Sequence, residues 1–222
     1  MDKPAKTAII LGVTGLTGGL LLNELLEDQR YSRIKAFSRS STGIEHPKYE
    51  EHLGDLLDLS QFSSKFTADE VYCCIGTTKS KTPDKDKYRK IDHGIPLEAA
   101  RLCVKNKIDT FVVMSSLGAD PSSSVSYSKI KGEMEEAVLE LGIPKTYILQ
   151  PSLISGEREE KRSGEKIAKM IFAVLNVFLI GPLRKYRSIP AEDIAKAMLW
   201  LANNDFRENR ITSDKISQLA NA

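Results

Sequence analysis

The sequence predicts an α/β fold, a doubly wound and mostly parallel sheet with a small, mainly helical C-terminal region. Three observations predict it. Short apolar runs rich in β-branched residues alternate with longer amphipathic stretches. The runs are apolar throughout rather than at every second position, as strands covered on both faces require. A glycine-spaced turn joins the first run to the first amphipathic stretch.

Taken in order, residues 7–11 read as the first strand and 16–26 as a helix; strands follow at 34–38 and 71–75, a helix at 95–105, and a strand at 110–114. A helix at 128–141 and a strand at 146–149 complete the repeat, each helix being long enough to cross over between parallel strands. After Pro151 the rhythm turns helical, near 164–180 and 191–203, and the next strand is expected only near Ile211. A chain of 222 residues suits one domain. Within it, 1–150 forms the core, and 151–222 is expected to wall the substrate side.

Composition narrows the function. The 32 Lys and Arg balance 30 Asp and Glu, so no strong affinity for a polyanion such as nucleic acid is expected. Cys73, Cys74 and Cys103 form no C-x-x-C pair, and His46, His52 and His93 lie apart from them, so no metal site is expected. The cysteines read as small core residues. The N-terminal residues lack the apolar region and cleavage site of a secretory leader, which points to the cytoplasm. The most apolar later stretch, 170–183, is about 14 residues, short of the roughly 20 that span a bilayer. It reads as a core, pocket-lining or interface helix.

The first strand runs into Leu11-Gly12-Val13-Thr14-Gly15-Leu16-Thr17-Gly18-Gly19. Glycines at 12, 15 and 18, between a strand and a helix, let the backbone approach a pyrophosphate that sits on the free N–H groups of the helix N-terminus. No Gly-Lys-Ser or Gly-Lys-Thr follows, so the turn is not a P-loop. The pattern is the dinucleotide-binding turn of a Rossmann fold, with Gly12, Thr14, Gly15, Leu16, Thr17 and Gly18 on the cofactor. The second strand ends in Ser38-Arg39-Ser40, where an acidic residue would favour NAD. A guanidinium flanked by hydroxyls suits a 2′-phosphate instead, so the expected cofactor is NADP(H).

The strand at 110–114 leads into Ser115-Ser116, and Tyr127 and Lys131 follow at i and i+4. On a helix they share a face, and the ammonium would favour the phenolate and ease its proton transfer. A phenol so placed can protonate a carbonyl oxygen as hydride arrives, while Ser116 holds that oxygen.

The whole set resembles the short-chain dehydrogenase/reductase superfamily, in particular its atypical, NAD(P)-binding branch that includes the Tat-interacting protein TIP30 and its bacterial relatives. The resemblance rests on the glycine turn, Ser38-Arg39, Gly54-Asp55, Cys74-Ile75-Gly76-Thr77-Thr78, Met114-Ser115-Ser116-Leu117-Gly118-Ala119-Asp120 and Gln150-Pro151-Ser152. It implies that Asp55 and Leu56 lie along the adenine and that Gly76 and Thr77, after Ile75, lie beneath the cofactor ribose. It implies further that Lys131 holds the nicotinamide ribose, and that Ser115, Pro151 and Ser152 belong to the cofactor side. Ile189-Pro190-Ala191-Glu192-Asp193-Ile194-Ala195 resembles the late strand-to-helix junction of the family.

Many extended members carry an Asn where this chain has Ile91-Asp92-His93-Gly94, so a relay through that Asn does not carry over. The chain is also short for the C-terminal domain that grips a sugar nucleotide in epimerases and dehydratases. The run from Lys79 to Lys90 reads as a solvated loop entering a helix, or as a basic lip for an anionic ligand. His93 beside Asp92 reads more readily as structural than as a proton relay.

The residues therefore predict an NADPH-dependent reductase of a small carbonyl or quinone-like substrate. The alternative, from a different class, is an NADP(H)-binding regulator or redox sensor that acts on a protein partner with little turnover. Substrate and oligomeric state stay open.

Overall fold

The computed structural model describes residues 5–156, 179 and 181–222. In chain order its elements are β1 (Lys6–Leu11), α1 (Leu16–Glu27), β2 (Tyr31–Ser38), β3 (Tyr49–Leu53), β4 (Glu70–Cys73), α2 (Lys85–Arg89) and α3 (Ile95–Lys105). They continue with β5 (Thr110–Met114), α4 (Ser126–Leu139), β6 (Lys145–Gln150), β7 (Ile154–Ser155), β8 (Ile189–Pro190), α5 (Ala191–Asn203), β9 (Arg210–Thr212) and α6 (Ser213–Leu219). A π-helical turn, Lys90–Gly94, joins α2 to α3.

Seven strands form one sheet in the order β3-β2-β1-β4-β5-β6-β9, and every neighbouring pair is parallel. The expected doubly wound α/β fold is what forms. Its order reverses between β1 and β4, which opens a crevice at the carboxyl ends of those strands.

Strand alternation divides the core into two layers. On β1, Ala8 and Ile10 join Leu21 and Leu25 of α1 and Ile194, Met198 and Leu201 of α5. Ile9 and Leu11 face the other way, toward Phe37, Cys103 of α3, and Met134 and Val138 of α4. At the amino end of the sheet, Tyr31 and Tyr72 share the buried carboxylate of Glu70, their hydroxyls donating to Oε2 at 2.5 and 2.8 Å. Lys6 pairs with Glu70 from the other side. Asn203, at the end of α5, donates to Tyr31 Oη at 2.6 Å. The end of α5 is thus tied to the first strands.

Several elements differ from the sequence reading: β4 ends at Cys73 rather than at residue 75, and β7 and β8 precede the strand expected near Ile211. β3 was not expected, because Tyr-Glu-Glu-His-Leu is mostly polar; it pairs only with β2 and lies at the sheet edge, where one side can remain wet. β2 begins three residues early, at Tyr31, whose ring is buried and whose hydroxyl is hydrogen-bonded. α4 starts at Ser126, two residues early, which brings Tyr127 into its first turn. Beyond residue 150, β9 extends the sheet alongside β6, and β7 pairs with β8 through Ile154 and Ile189. The helix expected at 164–180, and most of the apolar stretch at 170–183, lie outside the described residues. Among the described residues no helix is long and apolar enough to cross a membrane.

Candidate active site

A cleft of about 560 Å³ opens at the carboxyl ends of β1, β4 and β5. One wall is the glycine turn, from which Thr14, Gly15, Leu16 and Thr17 reach the cleft. Gly12 has φ of +85°, and a Cβ there would stand 2.9 Å from the Cys74 backbone. A Cβ on Gly18 would lie 2.2 Å from the Gly12 carbonyl oxygen, so this glycine is what lets α1 start so close to β1. Gly15 caps α1 without any side-chain bond to its first N–H groups. Those donors are left for a ligand, and they suit a pyrophosphate. Gly12 and Gly18 therefore act behind the cleft, while Thr14 to Thr17 face it.

Farther along the same edge, Ser38 ends β2 with Arg39 after it, and Gly54 and Asp55 follow β3. The backbone joins the two, Gly54 N–H donating to Ser38 O at 3.0 Å. Ser38 is buried, and its hydroxyl donates to Ser40 O at 2.7 Å, so it shapes the turn. Arg39 is exposed. The loop after it is anchored by Glu51, which accepts from Ser41 Oγ at 2.5 Å and from Thr42 N and Oγ1 at 2.7 and 2.6 Å. Burial works against ionisation of Glu51, but these bonds and that from Tyr49 outweigh it and draw its pKa down to about 2. Asp55 accepts from Leu57 N–H at 2.9 Å, and Leu56 is buried in the core. None of these four predicted residues lines the cleft itself.

Past β4, Cys74, Ile75, Gly76, Thr77 and Thr78 form the floor. The facing wall is α4, with Tyr127 half-exposed toward solvent and Lys131 buried one turn on. Lys131 Nζ stands 3.0 Å from Asp92 Oδ1, and Asp92 Oδ2 accepts from Thr77 N–H at 2.9 Å. Asp92 thus ties the floor to the catalytic-type helix. It comes from the π-helical turn, whose wider spacing aims one side chain inward, a distortion common at functional sites. His93, its neighbour, faces Arg89 and Glu133 instead, and burial followed by the Arg89 charge lowers its pKa.

The two serines at the end of β5 differ. Ser115 lines the cleft, but its hydroxyl donates to buried Glu135 at 2.5 Å. Glu135 also takes Gln150 Nε2 at 2.9 and 3.0 Å and Arg210 Nε at 2.7 Å. Ser116 is half-buried and is not among the residues that line the cleft; its one described side-chain bond is a 3.4 Å donation to Leu117 O, long enough to be weak.

Pro151 is buried, and Ser152 donates to Arg187 O and lies 3.0 Å from Ser213 Oγ. It is Ile154 of β7 that reaches the cleft. Ile154, Met114, Thr78, Lys81 and Asp92 are lining residues that the sequence reading missed or left without a role. Thr78 and Met114 stood in the motifs that carry the resemblance, Lys81 in the run from Lys79 to Lys90, and Asp92 where many extended members have an Asn, whereas Ile154 had no signal. Cys73 and Cys103 are core residues, and burial pushes the Cys73 thiol up to about 11. Cys74 is buried too, at 3.7 Å from Met198 Sδ.

A strand-to-helix turn whose Gly12 and Gly18 leave no room for a Cβ, followed by helix N–H groups without a side-chain cap, fits a dinucleotide. Fold and cleft together define a nicotinamide-dinucleotide-binding protein of the short-chain dehydrogenase/reductase superfamily. More specifically, the chain belongs to the NAD dependent epimerase/dehydratase family, which matches residues 8–212. It is 35% identical over 197 residues to Protein fmp52, mitochondrial, of Aspergillus niger, covering 85% of this chain and 83% of that one. It is 32% identical over 174 residues to Protein HTATIP2 of Rattus norvegicus, covering 77% and 72%. The resemblance read from the motifs is therefore shown.

Among solved structures, the Bordetella bronchiseptica enzyme WbmH in complex with NAD+ matches 98% of this chain and 80% of that one, with a TM-score of 0.69 and 16% identity. UDP-N-acetylglucosamine 4-epimerase from Methanobrevibacter ruminantium M1 matches 94% and 76%, with a TM-score of 0.69 and 18% identity. At such identities the likeness speaks for the fold. The relatives correct one expectation: fmp52 proteins of Aspergillus niger and Debaryomyces hansenii are named mitochondrial, against the cytoplasmic placement read from the N-terminal residues. A secretory-leader criterion is silent on import into an organelle.

Proposed function

We propose that this protein is an NADPH-dependent oxidoreductase that reduces a small carbonyl or quinone-like substrate. One observation carries the reading: Tyr127 opens into the cleft one helical turn from buried Lys131, across from the glycine turn. Bound NADPH would supply the hydride. Tyr127 gives its phenolic proton to the substrate oxygen, so that a C=O becomes an alcohol. Lys131, held by Asp92, keeps positive charge near the phenolate that remains. Ser116 holds the substrate oxygen; its weak bond to Leu117 O leaves its hydroxyl able to turn, whereas that of Ser115 is committed to Glu135.

The 2′-phosphate preference rests on Arg39, exposed at the end of β2 where no carboxylate stands. Gly76 and Thr77 at the cleft floor support the ribose, and Asp55 with Leu56, at the end of β3, borders the adenine side.

Calorimetric titration of NADPH and NADH into wild type and Arg39→Ala, with aldehydes, ketones and quinones tested for NADPH oxidation, checks this reading. NADPH should bind more tightly, Arg39→Ala should remove the preference, and at least one carbonyl should be reduced. Tighter NADH binding would overturn the phosphate assignment. Tight NADPH binding without turnover would replace the reductase by the nucleotide-gated regulator.

A further inference from the structure

A second cavity, of about 380 Å³, adjoins the cleft and shares Thr77, Thr78 and Tyr127 with it. Tyr127, with Thr77 and Thr78, therefore stands between the dinucleotide cleft and this space. The far walls are Tyr88 of α2, Ile130 of α4, and Pro83. Tyr88 and Ile130 are buried, and the Tyr88 hydroxyl faces Thr77 O at 3.5 Å. Burial pushes the Tyr88 phenol up, so that wall is uncharged at neutral pH. The volume falls in the lower part of the range for small-molecule sites.

The rim has a different character. Lys79 and Lys85 line the cavity and are exposed, and neither makes a described ion pair. Of the two carboxylates flanking Lys85 in sequence, Asp84 is occupied in capping α2, its Oδ1 accepting from Lys87 N–H at 2.7 Å, and Asp86, exposed in the first turn, is outside the cavity lining. Two ammonium groups thus edge an apolar chamber whose inner end is the proposed proton donor.

We propose that this chamber binds the substrate, and that the substrate is an apolar carbonyl compound carrying a carboxylate or phosphate that Lys79 and Lys85 receive. The inference rests on the reductase reading, in that Tyr127 must meet the carbonyl. Apolar area favours entry of the body, and the rim charges select the orientation in which the carbonyl points inward. A cationic compound would meet like charge at the rim.

The test uses 4-formylbenzoate and 9-oxononanoate, each beside its methyl ester. Each is titrated into the full chain by NMR, with and without NADP, which cannot deliver hydride. The acids should bind about five- to tenfold more tightly than the esters, the scale of two exposed ion pairs. Shifts should fall on Ile130 and Tyr88. Lys79→Gln with Lys85→Gln should remove the margin, while Lys87→Gln, on the same helix but outside the cavity, should keep it. Equal affinity for acid and ester, or shifts elsewhere, would overturn the inference. NADPH oxidation is read separately: turnover without acid preference sinks the inference and leaves the reductase, whereas lysine-dependent binding without turnover keeps the chamber and sinks the reductase.

Discussion

Asp92 Oδ1 lies 3.0 Å from Lys131 Nζ, and both side chains are almost wholly withdrawn from water. A buried ammonium without a partner is costly, so the carboxylate is what lets the lysine occupy the cleft wall. Losing one partner of such a pair costs about 3–5 kcal/mol, because the other is left buried and uncompensated. Lys131→Met should therefore lower the urea midpoint strongly. Adding Asp92→Asn, which keeps an oxygen for Thr77 N–H, should restore most of the stability without restoring turnover. Equal stability of the single and double variants would show that the pair is not coupled.

Tyr127→Phe removes one oxygen from a half-exposed residue and should leave NADPH affinity nearly unchanged. Loss of a general acid lowers the rate by about 100- to 10,000-fold. Calorimetry and NADPH oxidation on the same preparation check both halves. Weakened binding with unaltered turnover would contradict the assignment.

The serines should separate by phenotype. Ser116→Ala should lower kcat with little change in stability, since its weak bond to Leu117 O contributes little. Ser115→Ala deprives buried Glu135 of a 2.5 Å donor and should instead lower the melting temperature, by about 1–3 kcal/mol of stability. Turnover and thermal melting of the two variants, measured together, decide between the roles.

Gly18→Ala would place a methyl group 2.2 Å from the Gly12 carbonyl oxygen, against backbone that has nowhere to retreat. Dinucleotide binding should be lost, and the melting temperature should fall as α1 is displaced from β1. A variant that binds NADPH with wild-type affinity would show that the turn tolerates a wider opening.

Glu51 ionises more readily in the fold than in the unfolded chain, its pKa falling from 4.5 to about 2. Its contribution to stability is therefore complete above the unfolded value and is lost as pH drops toward 2. Glu51→Gln should be less stable than wild type at pH 7, with the gap closing on acidification below about 4.5. Urea denaturation across that range measures it. Because Glu51 anchors the loop beyond Arg39, the variant should also bind NADPH less tightly, with NADH affected less.

The parallel sheet, the glycine turn and the Tyr127–Lys131 spacing were legible in the residues because each is a local pattern. Uniform apolar runs mark strands covered on both faces, glycine spacing marks close backbone approach, and a separation of four marks one helix face. β3 escaped such reading, since an edge strand can be polar and still take its hydrogen bonds from a neighbour. Asp92 carried no sign that it would meet a lysine 39 positions later, because only the π-helical turn and the packing of α4 against it bring the two charges together. Ser115 and Ser116 are indistinguishable in sequence, and a buried carboxylate on α4 captures one hydroxyl while leaving the other weakly held. Local chemistry is written in short-range pattern; which groups are paired, buried or left to act depends on contacts between segments far apart in the chain.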